Sequence, residues 1–397
     1  MKGMENTAKD RSHHRFVLYI LGFLFAFQAV LPAYIFSTFL SKFVGEQKVG
    51  LLYALAAIAT IAVFAIIPRV IEKLGNYHAT VIMLTLQLGG FLTLAYAQST
   101  WLILLAFIAS FAGNAITNFT LDEFLENYST ENIVGKVRGI FLTSANTAWI
   151  VAPLVTGFIL SDSQYWQVFV AAAFLILPVM VILNSNLRHF RDPKYKEMPV
   201  KEAVLEVWRD KNIFGSFMVS FIMQLFFSWM VIYSPLYLHQ HIGFSWAEIG
   251  VMFSIILLPF VLIEEPLGKL ADTRWGEKEI LSIGFIIMAV STSLLAFIDT
   301  KAFWVWTGVL FVTRVGAAMV EIASETYFFK KIDGSSVNFI SLYRTMRPWS
   351  YVVGPLLATA TLAILTRSGF DFGYIFLVLG ILMFYGVRWS LALEDTK

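Results

Sequence analysis

The sequence predicts an all-α integral membrane protein, with about twelve transmembrane helices arranged as two pseudo-symmetric halves of six. Three observations predict it. Of the 397 residues, 58% are hydrophobic and 14% charged, against about 45–50% and about 25% in an ordinary soluble domain. Twelve apolar segments are long enough to cross a hydrocarbon core about 30 Å thick, which takes about 20 helical residues. The chain also matches itself at an offset of about 200 residues, as a duplicated unit does.

The elements follow in order. Residues 1–15 are a polar, basic tail. The apolar run from Phe16 to Leu40 is too long for a signal-peptide core and lacks a cleavage site, so it is expected to stay as the first span. The first half, 16–184, is expected to cross at 16–40, 48–67, 79–97, 101–121, 138–160 and 165–184. A polar linker, 185–211, follows; within it Val200 to Arg209 reads equally well as a short amphipathic helix on the membrane surface or as a solvated connection. The second half, 212–392, is expected to cross at 212–238, 246–267, 279–298, 303–327, 338–364 and 372–392, leaving a tail at 393–397. These segments read as helices because a lipid-exposed backbone must satisfy its hydrogen bonds internally. A transmembrane barrel would show shorter, alternating segments. Trp101, Tyr165, Trp166, Trp246 and Trp304 stand near proposed span ends, where amphipathic rings favour the interface.

Lysine and arginine give the direction. With the N-terminus inside, 22 of the 29 fall in cytoplasmic segments and four, Lys42, Lys48, Lys301 and Arg367, in outer loops; Arg314, Arg344 and Arg347 lie inside spans. That bias places both termini in the cytoplasm and the protein in a cell membrane, inner or plasma.

Several function classes are excluded or disfavoured. A net charge of +2 supplies no field for nucleic acid. With no cysteine there are no disulfides or thiolate metal sites. There is no phosphate-binding Gly-x-x-x-x-Gly-Lys-Ser/Thr loop and no His-Glu-x-x-His. His239 and His241 are a weak metal suggestion, and His13 and His14 read as tail residues. No nucleophile stands beside a base. No enzyme activity, cofactor or metal is therefore expected, and a monomer is.

The repeat is the most informative pattern. Leu31-Pro32-Ala33-Tyr34 matches Ser234-Pro235-Leu236-Tyr237, and Val49-Gly50 matches Ile249-Gly250. Residues 68–75 match 268–276 with one insertion, Ala152-Pro153 matches Gly354-Pro355, and Glu123 matches Glu325. Parallel six-helix repeats around a midplane site recur among secondary transporters. On these residues the chain resembles the major facilitator superfamily over nearly its whole length. That family's loop signature, Gly-x-x-x-Asp-(Arg/Lys)-x-Gly, is matched by Gly268, Asp272, Arg274 and Gly276 with one extra residue. The first copy is degenerate: Pro68 and Glu72 replace Gly and Asp, followed by Lys73 and Gly75. The Pro-Gly element of the family's fifth helix resembles Ala152-Pro153 with Gly157, and Gly354-Pro355. The resemblance implies that Glu72 and Asp272 latch a state closed to the cytoplasm, a carboxylate facing a helix N-terminus; by themselves they read as charged turns. Some exporters of the family carry an arginine motif in the fourth helix, and span four here has no arginine.

Charges inside spans cost about 2.5–3.5 kcal/mol on insertion scales and mark functional candidates. Span ten holds Arg314, Glu321 and Glu325, and span eleven Arg344 and Arg347. Glu264 and Glu265 end span eight, and Asp122, Glu123 and Glu126 end span four. Two readings stand. In one, Glu321 or Glu325 exchanges a proton and releases an arginine, with Asp122 and Glu123 as the gating counterparts of the other half. In the other, these are permanent ion pairs pinning helix ends.

The resemblance further implies that spans one, four, seven and ten line a central cavity. They carry Gln28, Tyr34, Asn114, Asn118, Gln224, Trp229, Tyr233 and Arg314, with Asn146 and Trp149 added from span five. A few oriented polar groups among apolar walls are what a solute site needs. Each also has a structural reading, as an interhelical bond or a packed ring. The expected function is a secondary transporter, symporter or antiporter, that moves a small organic solute by alternating access with protons as co- or counter-substrate. The other reading is a non-transporting sensor or scaffold on the same fold. Drug-like efflux and neutral-metabolite uptake both remain open.

Overall fold

The computed structural model describes residues 2–128, 134–160, 164–190, 205, 207–263, 266–267, 275–331 and 342–394. Among them eleven helices are long and apolar enough to cross a membrane, and a twelfth, Trp246–Leu262, is apolar but shorter. The helices are α1 (Lys2–Val30), α2 (Phe36–Val44), α3 (Val49–Leu74), α4 (Asn76–Tyr96), α5 (Thr100–Tyr128), α6 (Val134–Ile159) and α7 (Tyr165–Leu187). They continue as α8 (Lys211–Gln240), α9 (Trp246–Ile256), α10 (Pro259–Leu262), α11 (Glu277–Leu294), α12 (Phe303–Lys331), α13 (Met346–Arg367) and α14 (Tyr374–Ala392). Chains of this kind satisfy the backbone within each segment, the one requirement lipid imposes everywhere.

Two spans depart from the unbroken runs the sequence predicts, each at a proline. The first is interrupted between Val30 and Phe36. Pro32 has no N–H, and its ring clashes with the turn before it. The Leu31 carbonyl at the break accepts a bond of 2.7 Å from the Thr156 hydroxyl on α6, so the opened backbone is not left bare. The eighth stops at Ile256 and restarts at Pro259, which takes the first helical position of α10. The same span opens with a capping box, Ser245 and Glu248 bonding each other's backbone N–H.

The chain forms two compact units, Met1–Phe39 with Leu55–Lys196, and Leu40–Ala54 with Glu197–Lys397. Each has the same internal wiring. In the first, α1 packs on α6 and α7, and α4 on α5 and α7. In the second, α8 packs on α13 and α14, and α11 on α12 and α14. The close helix approaches are set by small residues, as lipid-embedded packing requires. Gly90 of α4 lies against Ser110 and the Ala106 carbonyl of α5. Gly284 of α11 lies against the Gly316 carbonyl of α12, where an added Cβ would come within 3.0 Å of it.

The linker enters α8 through Asp210, whose carboxylate caps the N–H groups of Asn212 (2.8 Å) and Ile213 (3.0 Å). Of the proposed surface helix, 200–204 and 206 lie outside the described residues. Val207 packs with Phe217, Phe328 and Tyr343.

Candidate functional site

In the second unit the polar side chains of the spans gather on α8, α12 and the start of the eleventh span. Arg314 of α12 is 97% buried, with a relative exposure of 3%. Its guanidinium lies 5.4 Å from the Phe226 ring and 5.9 Å from that of Phe227, both on α8. Aromatic faces attract a cation that has lost its water. The small residues that follow it on α12, Gly316, Ala317 and Ala318, are buried, and Gly316 lies against Gly284 of α11.

One helical segment further on, the Tyr351 hydroxyl is hydrogen-bonded by Arg347 and also feels the charge of Arg314. Arg344 faces Glu325 electrostatically. Tyr343 stands between the two groups: its hydroxyl is 2.7 Å from Ser324 Oγ, bonds Ser220, and lies in the field of Glu321 and Glu325. Its ring stacks on Phe328 at 4.0 Å. Tyr343 thus lies with the span-ten carboxylates, and Tyr351 with Arg347 and Arg314; the sequence reading singled out neither tyrosine. Their signal was present as tyrosines one and four residues from the arginines, but a tyrosine in an apolar run reads first as packing. Glu264 and Glu265 lie outside the described residues.

On α8, Trp229 and Tyr233 are fully buried, with ring centroids 6.1 Å apart. Among the described residues the Trp229 indole N–H meets no acceptor. Gln224 is half-buried on the same helix. Gly354 gives α13 its close seat on α8 against Ser228.

In the first unit, Gln28 of α1 donates to the Gln87 amide of α4 at 3.3 Å, and Gln87 donates to Thr117 of α5 at 2.9 Å. All three are fully buried. Gln87 was missed, because within LTLQLGG a single amide is indistinguishable from one facing a headgroup. Gly113 of α5 leaves room for it, since a Cβ there would come within 2.8 Å of Gln87 Cγ. Asn118 bonds Asn114 at 2.8 Å, one turn away on α5. Tyr34 meets Trp149 edge-on at 6.1 Å, and Asn146 is half-buried on α6. Asp122 and Glu123 are half-buried near the end of α5, where Asn127 bonds the Glu123 carbonyl and Glu126 faces Arg138 at 3.6 Å.

Of the loop signatures, Gly268, Asp272 and Arg274 lie outside the described residues. Glu72 and Lys73 are exposed at the end of α3. Gly75 has φ +84°, a conformation that side-chain-bearing residues rarely adopt. The next residue, Asn76, is fully buried and donates to the Thr120 carbonyl of α5 at 2.9 Å. After Gly276 the second unit does the equivalent with a charge: Glu277, also fully buried, binds Lys330 of α12. Asn76 and Glu277 are each the first residue of the third span of their half, and each ties that span to the fourth by a buried polar contact. Replacing Lys330 by methionine strips that carboxylate of a counter-charge and is expected to destabilise by about 1–3 kcal/mol, less than a wholly buried pair because Lys330 is itself part-exposed. Glu277→Gln is expected to cost less, since the freed lysine returns to water. Thermal melts of the two variants in one detergent check the order, and a larger loss in Glu277→Gln would contradict it.

Comparison with known proteins bears on the family and the fold. The family model described as Major Facilitator Superfamily matches residues 18–331 and 230–396. The tetracycline resistance protein, class B, of Escherichia coli is 23% identical over 289 residues, which is 66% of this chain and 67% of that protein. The class H protein of Pasteurella multocida is 27% identical over 140 residues, so the match spans only 35% of either chain. Among solved structures, the nucleoside transporter NupG superposes with a TM-score of 0.75 at 15% identity, covering 95% of this chain and 98% of that one. A bacterial homologue of the human lysosomal transporter Spinster, in an inward-facing and unoccupied conformation, superposes with a TM-score of 0.71 at 13% identity, covering 96% and 93%. At such identities these structures share the fold alone.

Proposed function

The chain belongs to the Major Facilitator Superfamily, a family of membrane transporters, and from that premise we propose that it moves a small organic solute by alternating access with coupling to protons. The observation that carries this reading is Arg314: a guanidinium buried mid-span against the Phe226 and Phe227 rings, its charge acting on Tyr351, which Arg347 also bonds. A charge there costs about 2.5–3.5 kcal/mol on insertion, and a scaffold gains nothing for that cost. A solute polar group that binds Arg314 and the free Trp229 indole donor would use it. Glu321 or Glu325 then takes up the proton, releasing its hold on the span-eleven arginines. In the first half, Gln28, Tyr34, Asn114, Asn118, Asn146 and Trp149 supply neutral hydrogen bonds and ring surface, so the solute is expected to be amphiphilic rather than multiply charged.

The distribution of lysine and arginine supports both termini in the cytoplasm of a cell whose inner or plasma membrane holds the protein. The tetracycline resistance relatives bring drug-like efflux into the set of activities to test, beside uptake of a neutral metabolite. No catalytic chemistry is assigned.

The test is flux in proteoliposomes. Candidate solutes are first chosen by thermal shift, because a ligand that binds only the folded protein raises its stability in step with affinity. Each hit is then followed with and without a pH gradient. Gradient-dependent accumulation is the expected result. Flux indifferent to pH leaves a facilitative carrier, and no flux of any hit under any gradient gives the protein to the sensor or scaffold reading.

A further inference from the structure

Segment Leu40–Ala54, the end of α2, the turn after it and the start of α3, packs with the second unit although its flanks belong to the first. Side chains of α8 and α13 hold it there. Gln240 donates to the Ser41 hydroxyl at 2.9 Å, and Gln47 donates to Thr366 at 3.1 Å. Gly50 sits against the Tyr233 hydroxyl and the Pro355 carbonyl with no room for a Cβ. One contact in the set carries charge: His241 Nε2 is 2.8 Å from Glu46 Oε2. Their side chains are 32% and 34% exposed, open to protons from solution. The imidazole is stacked with Tyr237 at 5.4 Å and rests on Phe372 at 4.6 Å, faces that favour a cation.

We infer that His241 and Glu46 form a proton-operated clasp, in which acid on this face of the membrane fastens segment 40–54 to the end of α8. A neutral imidazole bonds the carboxylate as one dipole to one charge. A protonated one makes a charge-assisted bond, roughly twice as strong. Histidine is the side chain that ordinarily changes charge between about pH 5 and 8. The docked contact is therefore held by a charge-assisted bond when the imidazole carries a proton and by a weaker one when it does not.

The surroundings contain other charges. Lys42 and Lys48 stand on the clasped segment, one on either side of Glu46. Asp371, after α13, and Asp299, before α12, act on Tyr237. Lys301 acts on Glu248 of α9 and lies over the Phe244 ring at 5.9 Å, and Arg367 closes α13. His239 points elsewhere, with Nδ1 at 2.9 Å from the Phe244 carbonyl. The clasp rests on the proposed carrier for its consequence only: where the segment must leave α8 for the outer side to open, outer acid favours the state closed to that side.

The chain has no cysteine, so two nitroxides can be placed at K42C and S368C in the full chain in lipid nanodiscs. The distance between them is then read by pulsed electron resonance at pH 8.0 and 5.5, on the order of the histidine range. For a part-exposed pair the ratio of short to long distances is expected to rise about two- to fivefold on acidification. H241Q and E46Q, each checked for folding by its melt, are expected to abolish the rise. A pH response that survives either substitution, or none in the parent, overturns the clasp. Absent solute flux would overturn the carrier and leave this distance measurement standing; an unresponsive distance would do the reverse.

Discussion

Replacing Arg314 by methionine is expected to lower solute flux at least tenfold while leaving the fold nearly as stable as before. The two halves of that expectation have different magnitudes behind them. In the folded protein the guanidinium gains from the Phe226 and Phe227 rings, about 1–2 kcal/mol for a desolvated cation–π contact. Against that stands the cost of a charge in the span, about 2.5–3.5 kcal/mol. Methionine fills much of the same volume and removes both, so the net change in stability is expected to stay within about 1–2 kcal/mol. Flux has no such compensation. A hydrogen bond from a charged group contributes about 1.5–3 kcal/mol to a bound partner, which is about 10- to 150-fold in affinity. Flux under a saturating gradient and a melt on the same preparation separate the two effects. Native flux with a native melt would remove Arg314 from the cycle. Arg314→Lys is a useful companion, because it keeps the charge and loses the planar fork that lies over two rings.

The second large expectation concerns the carboxylates. Glu321→Gln or Glu325→Gln is expected to abolish accumulation driven by a pH gradient while exchange of labelled for unlabelled solute persists. One proton per solute and a gradient of one pH unit are worth about 1.4 kcal/mol, a tenfold concentration ratio at equilibrium. In the substituted protein the ratio is expected to fall to about one. Glutamine preserves shape and hydrogen bonding and removes only the titration, so lost exchange would instead signal a damaged site. Both variants accumulating solute tenfold, like the parent, would sink proton coupling through this cluster. Glu325 is the stronger choice for the first experiment. It faces Arg344, and Tyr343 connects its surroundings to Ser220 on α8, so a change of charge there reaches two helices.

The candidate site was half visible in the sequence. Arg314, Glu321, Glu325, Arg344 and Arg347 stand out because a charge in an apolar run is rare. Their connection does not. Tyr343 sits with the carboxylates and Tyr351 with the arginines, yet in the sequence they are aromatic residues among many. The same holds in the first half, where Gln28 is conspicuous in span one but its partner Gln87 is not. Pairing depends on which way each helix turns its faces, and a span whose lipid-facing side is as apolar as its packed side carries almost no amphipathic signal to report that. Proline gave a similar lesson. Pro32 and Pro235 hold equivalent places in the repeat, but only the first opens its helix; α8 runs unbroken from Lys211 to Gln240.

By itself the sequence determined the class of fold, the positions of the spans and the duplication, because crossing a bilayer is a one-dimensional condition: about 20 apolar residues in a row, and charges kept to the ends. Only the tertiary structure decided that Asn76 and Glu277 tie the third span of each half to the fourth, that Tyr343 lies with Glu321 and Glu325, and that segment 40–54 lies with the second unit through Glu46 and His241. Those are three-dimensional conditions. A buried polar group is stable only when a partner from another helix reaches it at bonding distance, and residues as far apart as 46 and 241 acquire that distance from packing alone.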